Sequence, residues 1–164
     1  MKEVASISFY VEGENATQGS FNNYGVGKLV PVNHKELTAW RLKIAQAFQD
    51  NGIDTLKDCN IFSMRCVFLF EAPKVRQKRA LAWCENAPIG MPFMPRNVGK
   101  DGDKMLRSVC DSFSLSTAPE LNKKTKAKEG INDSKFYKLI TEKYEFPIGL
   151  QNEGVHIEIK GYKI

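Results

Sequence analysis

Long apolar runs, clustered histidines and paired cysteines are all missing from this sequence of 164 residues. No apolar run exceeds the five residues Cys66-Val67-Phe68-Leu69-Phe70, whereas a membrane helix needs about 20. No apolar core follows Lys2, so a secretory leader is not expected and cytoplasmic residence is. Cys59, Cys66, Cys84 and Cys110 contain no Cys-x-x-Cys, and the two histidines, His34 and His156, lie far apart. Zinc binding, which needs clustered thiolates and imidazoles, is therefore not expected. The same scarcity leaves few candidates for a Ser-His-Asp or Cys-His device, so any chemistry falls to carboxylates, lysines and arginines.

What is present is the balance of an ordinary globular chain, 42% apolar and 26% charged, and its length suits one domain spanning residues 1–164. The net charge of +5 is concentrated in two segments. Lys74-Val75-Arg76-Gln77-Lys78-Arg79 and Lys123-Lys124-Thr125-Lys126-Ala127-Lys128 each carry four basic residues. Such runs are solvated loops or polyanion contacts, and two of them in one small basic protein favour nucleic acid.

Residues 4–11 alternate, with Ala5, Ile7, Phe9 and Val11 on one face, and predict a half-buried strand. Asn33 followed by Glu36 predicts a helix start. Leu37, Trp40, Ile44, Ala47 and Phe48 continue it at helical spacing towards a stop at Asn51-Gly52. Residues 60–71 are apolar on both faces around Arg65, which predicts a strand in the middle of a covered sheet. Pro73, Pro88, Pro92 and Pro95 predict a long connection over 72–99. A second helix is expected from Asp103 to about Phe113, on Met105, Leu106, Val109, Cys110 and Phe113. A polar loop over 114–132 and strands at 134–144 and 155–160 complete the pattern. The expected fold is α/β, a small mixed sheet in β-α-β-α-β-β order with two helices.

The segment Lys100-Asp101-Gly102-Asp103-Lys104-Met105-Leu106-Arg107 is the best candidate site. Two carboxylates two residues apart at a helix mouth can share magnesium, which takes one or two protein carboxylates with water and substrate phosphate. The spacing is not that of an EF-hand. Asp103, Arg107 and Asp111 are four apart and share a polar face, where Arg107 could hold a phosphate oxygen or form a solvated ladder. Asp103 could equally serve only as a helix cap. Asp133, before a strand, is placed either to complete a three-carboxylate cluster or to make a turn. An acidic metal site with a basic rim is what phosphodiester cleavage requires.

The segments Phe9-Tyr10-Val11-Glu12-Gly13, Gln18-Gly19, Lys100 to Phe113, Ile131-Asn132-Asp133-Ser134-Lys135 and Gly154-Val155-His156-Ile157-Glu158-Ile159 together resemble the RusA family of Holliday-junction resolvases, of bacterial and prophage-type sequences. The resemblance implies a homodimeric, magnesium-dependent endodeoxyribonuclease, with manganese as a possible substitute. It would resolve four-way junctions by paired symmetric nicks in DNA recombination and repair, without a membrane partner or small-molecule cofactor. Carried over, Asp101, Asp103 and Asp133 hold the metal, and Arg107 stands at the family's functional lysine. Lys74, Arg76, Lys78, Arg79, Lys100, Lys104, Lys123, Lys124, Lys126 and Lys128 would contact DNA. Lys104 replaces the family's Asn, Asn132 the first residue of its Asp-Asp pair, and Ser20 and Phe21 its basic and proline positions. These departures leave open a protein that binds branched DNA without cutting it.

Overall fold

The computed structural model describes residues 1–17, 21–23, 29–31, 33–118, 130–131 and 133–164. Strand β1 (Lys2–Glu12) is followed by a short pair, β2 (Phe21–Asn23) and β3 (Leu29–Pro31), then helix α1 (His34–Asp50) and strand β4 (Ile61–Glu71). Helix α2 (Gln77–Glu85), strand β5 (Met94–Pro95) and helix α3 (Gly102–Thr117) come next, and β6 (Phe136–Phe146) and β7 (Gly154–Lys163) end the chain. Five strands form one mixed sheet in the order β1-β7-β4-β6-β5, with β4 and β6 parallel and the other pairs antiparallel.

Strand β4 is the middle strand, as its two apolar faces predict. Phe62, Met64, Cys66 and Phe68 point to the side where β1 adds Ile7, Phe9 and Val11 and β7 adds Val155, Ile157 and Ile159. Helices α1 and α3 cover that side with Leu37, Trp40, Ile44 and Phe48, and Met105, Val109 and Phe113. Phe113 is the hub, its ring 5.3 Å from Phe48, 5.5 Å from Phe62 and 5.3 Å from Phe136, each in an edge-to-face arrangement that favours aromatic pairs. Among the described residues, the opposite side of the sheet carries the exposed Arg65 and neither α1 nor α3.

The helix α1 boundaries follow the local chemistry. Asn33 precedes the first turn and its carbonyl accepts from Leu37 N at 3.0 Å. Asn51 closes the helix, and Gly52 turns the chain at φ +84°. A Cβ there would meet only Thr55 Cγ2, at 3.9 Å, so a side chain has room but the wrong backbone. Gly52→Ala is accordingly expected to cost about 1 kcal/mol, or roughly 2–4 °C in Tm by thermal melt, with the fold unchanged. An unchanged Tm would mean that Gly52 does not need its left-handed conformation.

Three expectations are corrected. Residues 72–99 are not a plain connection, and among the described residues the order is β-β-β-α-β-α-β-α-β-β, with three helices, where β-α-β-α-β-β with two was expected. Residues 74–76 form a 3-10 turn that leads into α2, while β5 pairs with the end of β6. Helix α2 escapes periodicity because only Ala80 of its nine residues is buried, so it has no apolar stripe to read. Strand β6 begins at Phe136, later than expected, because Asp133–Lys135 form a 3-10 turn. Among the described residues, no helix is long and apolar enough to cross a membrane.

Candidate functional site

The mouth of α3 is built by three neighbouring segments. Gly102 sits against β6, where an added Cβ would be 3.1 Å from Thr141 Cγ2, so the Asp-Gly-Asp turn approaches the sheet as a bulkier residue would not. Lys143 Nζ donates to Lys100 O at 3.1 Å, and Arg96 Nε donates to Val98 O at 3.1 Å, tying down the strand-like lead into the helix. Lys100 Nζ reaches back to Glu14 Oε1 at 3.2 Å and to Asn15 O. Asn15 is fully buried and its amide donates to Gly154 O at 3.0 Å, which holds that loop against β7.

On this frame Asp101 is the N-cap residue of α3, with extended backbone, and its carbonyl accepts from Met105 N at 3.1 Å. Its carboxylate pairs with Lys104 Nζ at 3.1 Å. Asp103 lies in the first turn, exposed, where the positive end of the helix favours a negative charge. Arg107 is exposed one turn further on and makes no ion pair among the described residues. The expected ladder along 103, 107 and 111 stops there, because Asp111 pairs across to Arg41 of α1. A cavity of about 560 Å³ opens beside this mouth, between Glu14, Trp40 and Lys43, with Lys100 at its edge.

Asp133 is not brought to Asp101 and Asp103. Ser114 Oγ donates to Ile131 O at 2.6 Å and Ile131 N donates to Thr117 Oγ1 at 2.8 Å, which draws the chain to the far end of α3. Asp133 is therefore near enough to Cys110 to act on its thiol. Among the described residues, no three His, Cys, Asp or Glu side chains form a group that could hold a metal ion. Asp101 and Asp103 alone meet magnesium's usual need for one or two protein carboxylates. The three-carboxylate set does not assemble in this arrangement.

The basic candidates divide. Lys74, Lys78 and Arg79 are exposed on the 3-10 turn and α2. Arg76 turns inward instead: its Nε and Nη2 lie 2.8 Å from the two carboxylate oxygens of Glu145, which is 1% exposed. Arg96 reaches the same carboxylate at 3.4 Å and stacks 4.5 Å above the Phe70 ring. Lys100 and Lys104 are engaged within the chain, as described. Lys123, Lys124, Lys126, Lys128 and Asn132 lie outside the described residues, as do Gln18, Gly19 and Ser20. Sequence reasoning missed Glu145 and Arg96, because their partners are many residues away and no local spacing marks them.

Burial pushes the Cys110 thiol up from 9.0 to about 12, with the Asp111 and Asp133 carboxylates adding to the effect. Cys66, wholly buried, is pushed well up by the same cause, with Cys110 adding. Folded values above the unfolded one mean that these thiols favour the fold below about pH 9, and that this stability is lost as pH rises towards about 12. A denaturation series should show stability falling through that window, by up to about 1.4 kcal/mol per pH unit for each thiol, and less in Cys110→Ala. A flat profile would contradict it.

Compared with known proteins, the chain matches no family model and no curated sequence.

Proposed function

We propose that this chain is a magnesium-dependent, structure-selective endodeoxyribonuclease that acts as a homodimer on four-way DNA junctions in recombination and repair. The observation that carries the reading is the exposed pair Asp101 and Asp103 at the mouth of α3, with Arg107, which makes no ion pair among the described residues, one turn along. The likeness of this segment to the RusA pattern gives the pair its chemistry. Asp101 and Asp103 would hold the ion, which when bound would neutralise the scissile phosphate and activate water. Arg107 then holds a phosphate oxygen as negative charge develops on it. Its guanidinium stays protonated throughout, so it stabilises charge and exchanges no proton.

Lys74 on the 3-10 turn and Lys78 and Arg79 on α2 supply salt-sensitive backbone contacts, the kind that fix a duplex arm without reading its sequence. Two identical sites related by a two-fold axis are the simplest means of nicking two symmetry-related strands, hence the homodimer. The test is a nicking assay on a labelled synthetic four-way junction and the matching linear duplex, with magnesium, manganese or EDTA. Paired, metal-dependent nicks on the junction alone support the proposal. Nicks that persist in EDTA overturn it.

A second reading has its own observation. Lys104 occupies the Asp101 carboxylate at 3.1 Å, and Asp133 stands apart from the pair. Both features favour a protein that binds branched DNA by shape and charge and leaves it uncut. Junction binding without scission in any metal would establish that reading.

A further inference from the structure

The face of the sheet turned away from α1 and α3 carries a cavity of about 320 Å³ that takes no part in the site above. Its floor is Val67 and Leu69 of β4, flanked by Tyr10 of β1 and Tyr144 of β6. Its far wall is Phe93, from the segment between α2 and β5. That segment is held in place. Trp83 Nε1 donates to Met91 O at 3.1 Å, the Cys84 thiol lies 3.6 Å from Pro92 O, and Phe93 packs edge-on to the buried Phe146 at 6.2 Å. The cavity is therefore preformed, with three aromatic rings around an apolar floor, the composition usual for a small-ligand site.

Its polar groups are few and nearly all satisfied. Arg65 Nε and Nη2 donate to the Glu142 carboxylate at 3.2 and 2.9 Å, and Tyr144 OH donates to the same carboxylate at 3.2 Å. Tyr10 OH donates to Asn152 O at 2.6 Å; burial pushes this phenol up to about 12, with Glu12 and Glu153 adding, so it remains a donor at any ordinary pH. His156 Nε2 is paired with Ser8 Oγ at 2.9 Å. The exception is Gln151. It lines the cavity, and its side-chain Nε2 is buried with no hydrogen-bond partner among the described residues. A buried amide donor left unmade is costly, and a turn of the side chain towards an acceptor on a ligand would satisfy it.

The charge balance narrows the ligand. Arg65 is neutralised by Glu142, so the cavity offers no spare cation for a phosphate and no spare carboxylate for an amine. What remains is stacking surface and the side-chain amide of Gln151. Those recognise a neutral planar heterocycle with hydrogen-bonding groups on its rim. We propose that this cavity is a binding site for a single nucleobase, presented either as a free nucleoside or as an unpaired base on a strand. The inference does not rest on the nuclease reading, since it uses the opposite face of the sheet and none of the carboxylates at the mouth of α3.

The test is calorimetric titration of the full chain with thymidine, with deoxyguanosine, and with a short single-stranded oligonucleotide alongside its abasic counterpart. Gln151→Leu and Tyr144→Ala would be run in parallel, with circular dichroism melts to confirm their folding. Saturable nucleoside binding, weakened about tenfold or more in either folded variant, supports the site and identifies a free base as a sufficient ligand. Binding of the oligonucleotide but not of nucleosides or of the abasic strand, with the same loss in the variants, identifies a strand-borne base. Absence of all binding, or affinities that neither variant changes, overturns the proposal. Because the readout is binding without metal, its failure and the failure of junction cleavage are separate results.

Discussion

Asp103→Asn is expected to bind a four-way junction as the parent chain does and to nick it in magnesium at less than about one hundredth of the parent rate. The magnitude follows from the metal's chemistry: loss of groups that merely orient metal ligands already costs about 10–100-fold, and loss of a ligand costs at least as much. The amide keeps the shape of the carboxylate and removes its charge. Asp103 is exposed on the first turn of α3, so folding should change by no more than its helix-dipole contribution, about 0.3–1 kcal/mol. Junction binding and a thermal melt separate the loss of chemistry from the loss of fold. If Asp103→Asn cuts normally, Asp103 is not a metal ligand and the proposed mechanism is wrong. If the parent chain itself does not cut, the next substitutions to test are Lys104→Asn, which frees the Asp101 carboxylate, and Arg107→Lys.

Glu145→Ala should be strongly destabilising. Glu145 is almost wholly buried and faces two guanidinium groups, Arg76 and Arg96, whose side chains are 26% and 16% exposed. Removing the carboxylate leaves both cations partly desolvated without a partner, which costs about 3–5 kcal/mol. Their residual hydration puts the expectation near the lower end, a fall of roughly 6–12 °C in Tm. Replacing all three residues by apolar ones of similar volume should recover much of the loss, because a buried ion pair is worth little against well-packed hydrocarbon. A Glu145→Ala chain that melts within a degree of the parent would show that the three charges are not coupled. Arg96 also donates to Val98 O, so the same change should loosen the lead into Asp101.

The elements that repeat locally were legible. The alternation of Ile7, Phe9 and Val11, and of Val155, Ile157 and Ile159, predicts strands because each such residue faces the core, and all six are buried. The apolar stripe of α1 predicts Leu37, Trp40, Ile44 and Phe48 inward, and its end at Asn51-Gly52 is a matter of backbone conformation alone. In α3 the same periodicity locates Met105, Val109 and Phe113 but not the buried Ser108, Ser112 and Ser116, since small polar side chains carry no apolar signal. Ser112 and Ser116 are tolerated inside because their hydroxyls donate to carbonyls of their own helix.

At the candidate site the same division holds. The sequence by itself determined that Asp103 and Arg107 stand on one polar stripe at the start of a helix, because 3.6 residues per turn puts residues four apart on the same face once α3 forms. It also determined that β4 is the middle strand, because only burial on both sides suits its composition. Tertiary structure alone decided the rest. It drew Ile131, two residues before Asp133, to the far end of α3 through hydrogen bonds with Ser114 and Thr117, and turned Arg76 inward to a glutamate 69 residues away. It also laid the segment that carries Phe93 over the second face of the sheet, which makes the cavity lined by Gln151. Each of these is a contact between segments distant in the chain, whose energy depends on which surfaces meet, and spacing within a segment carries no record of that.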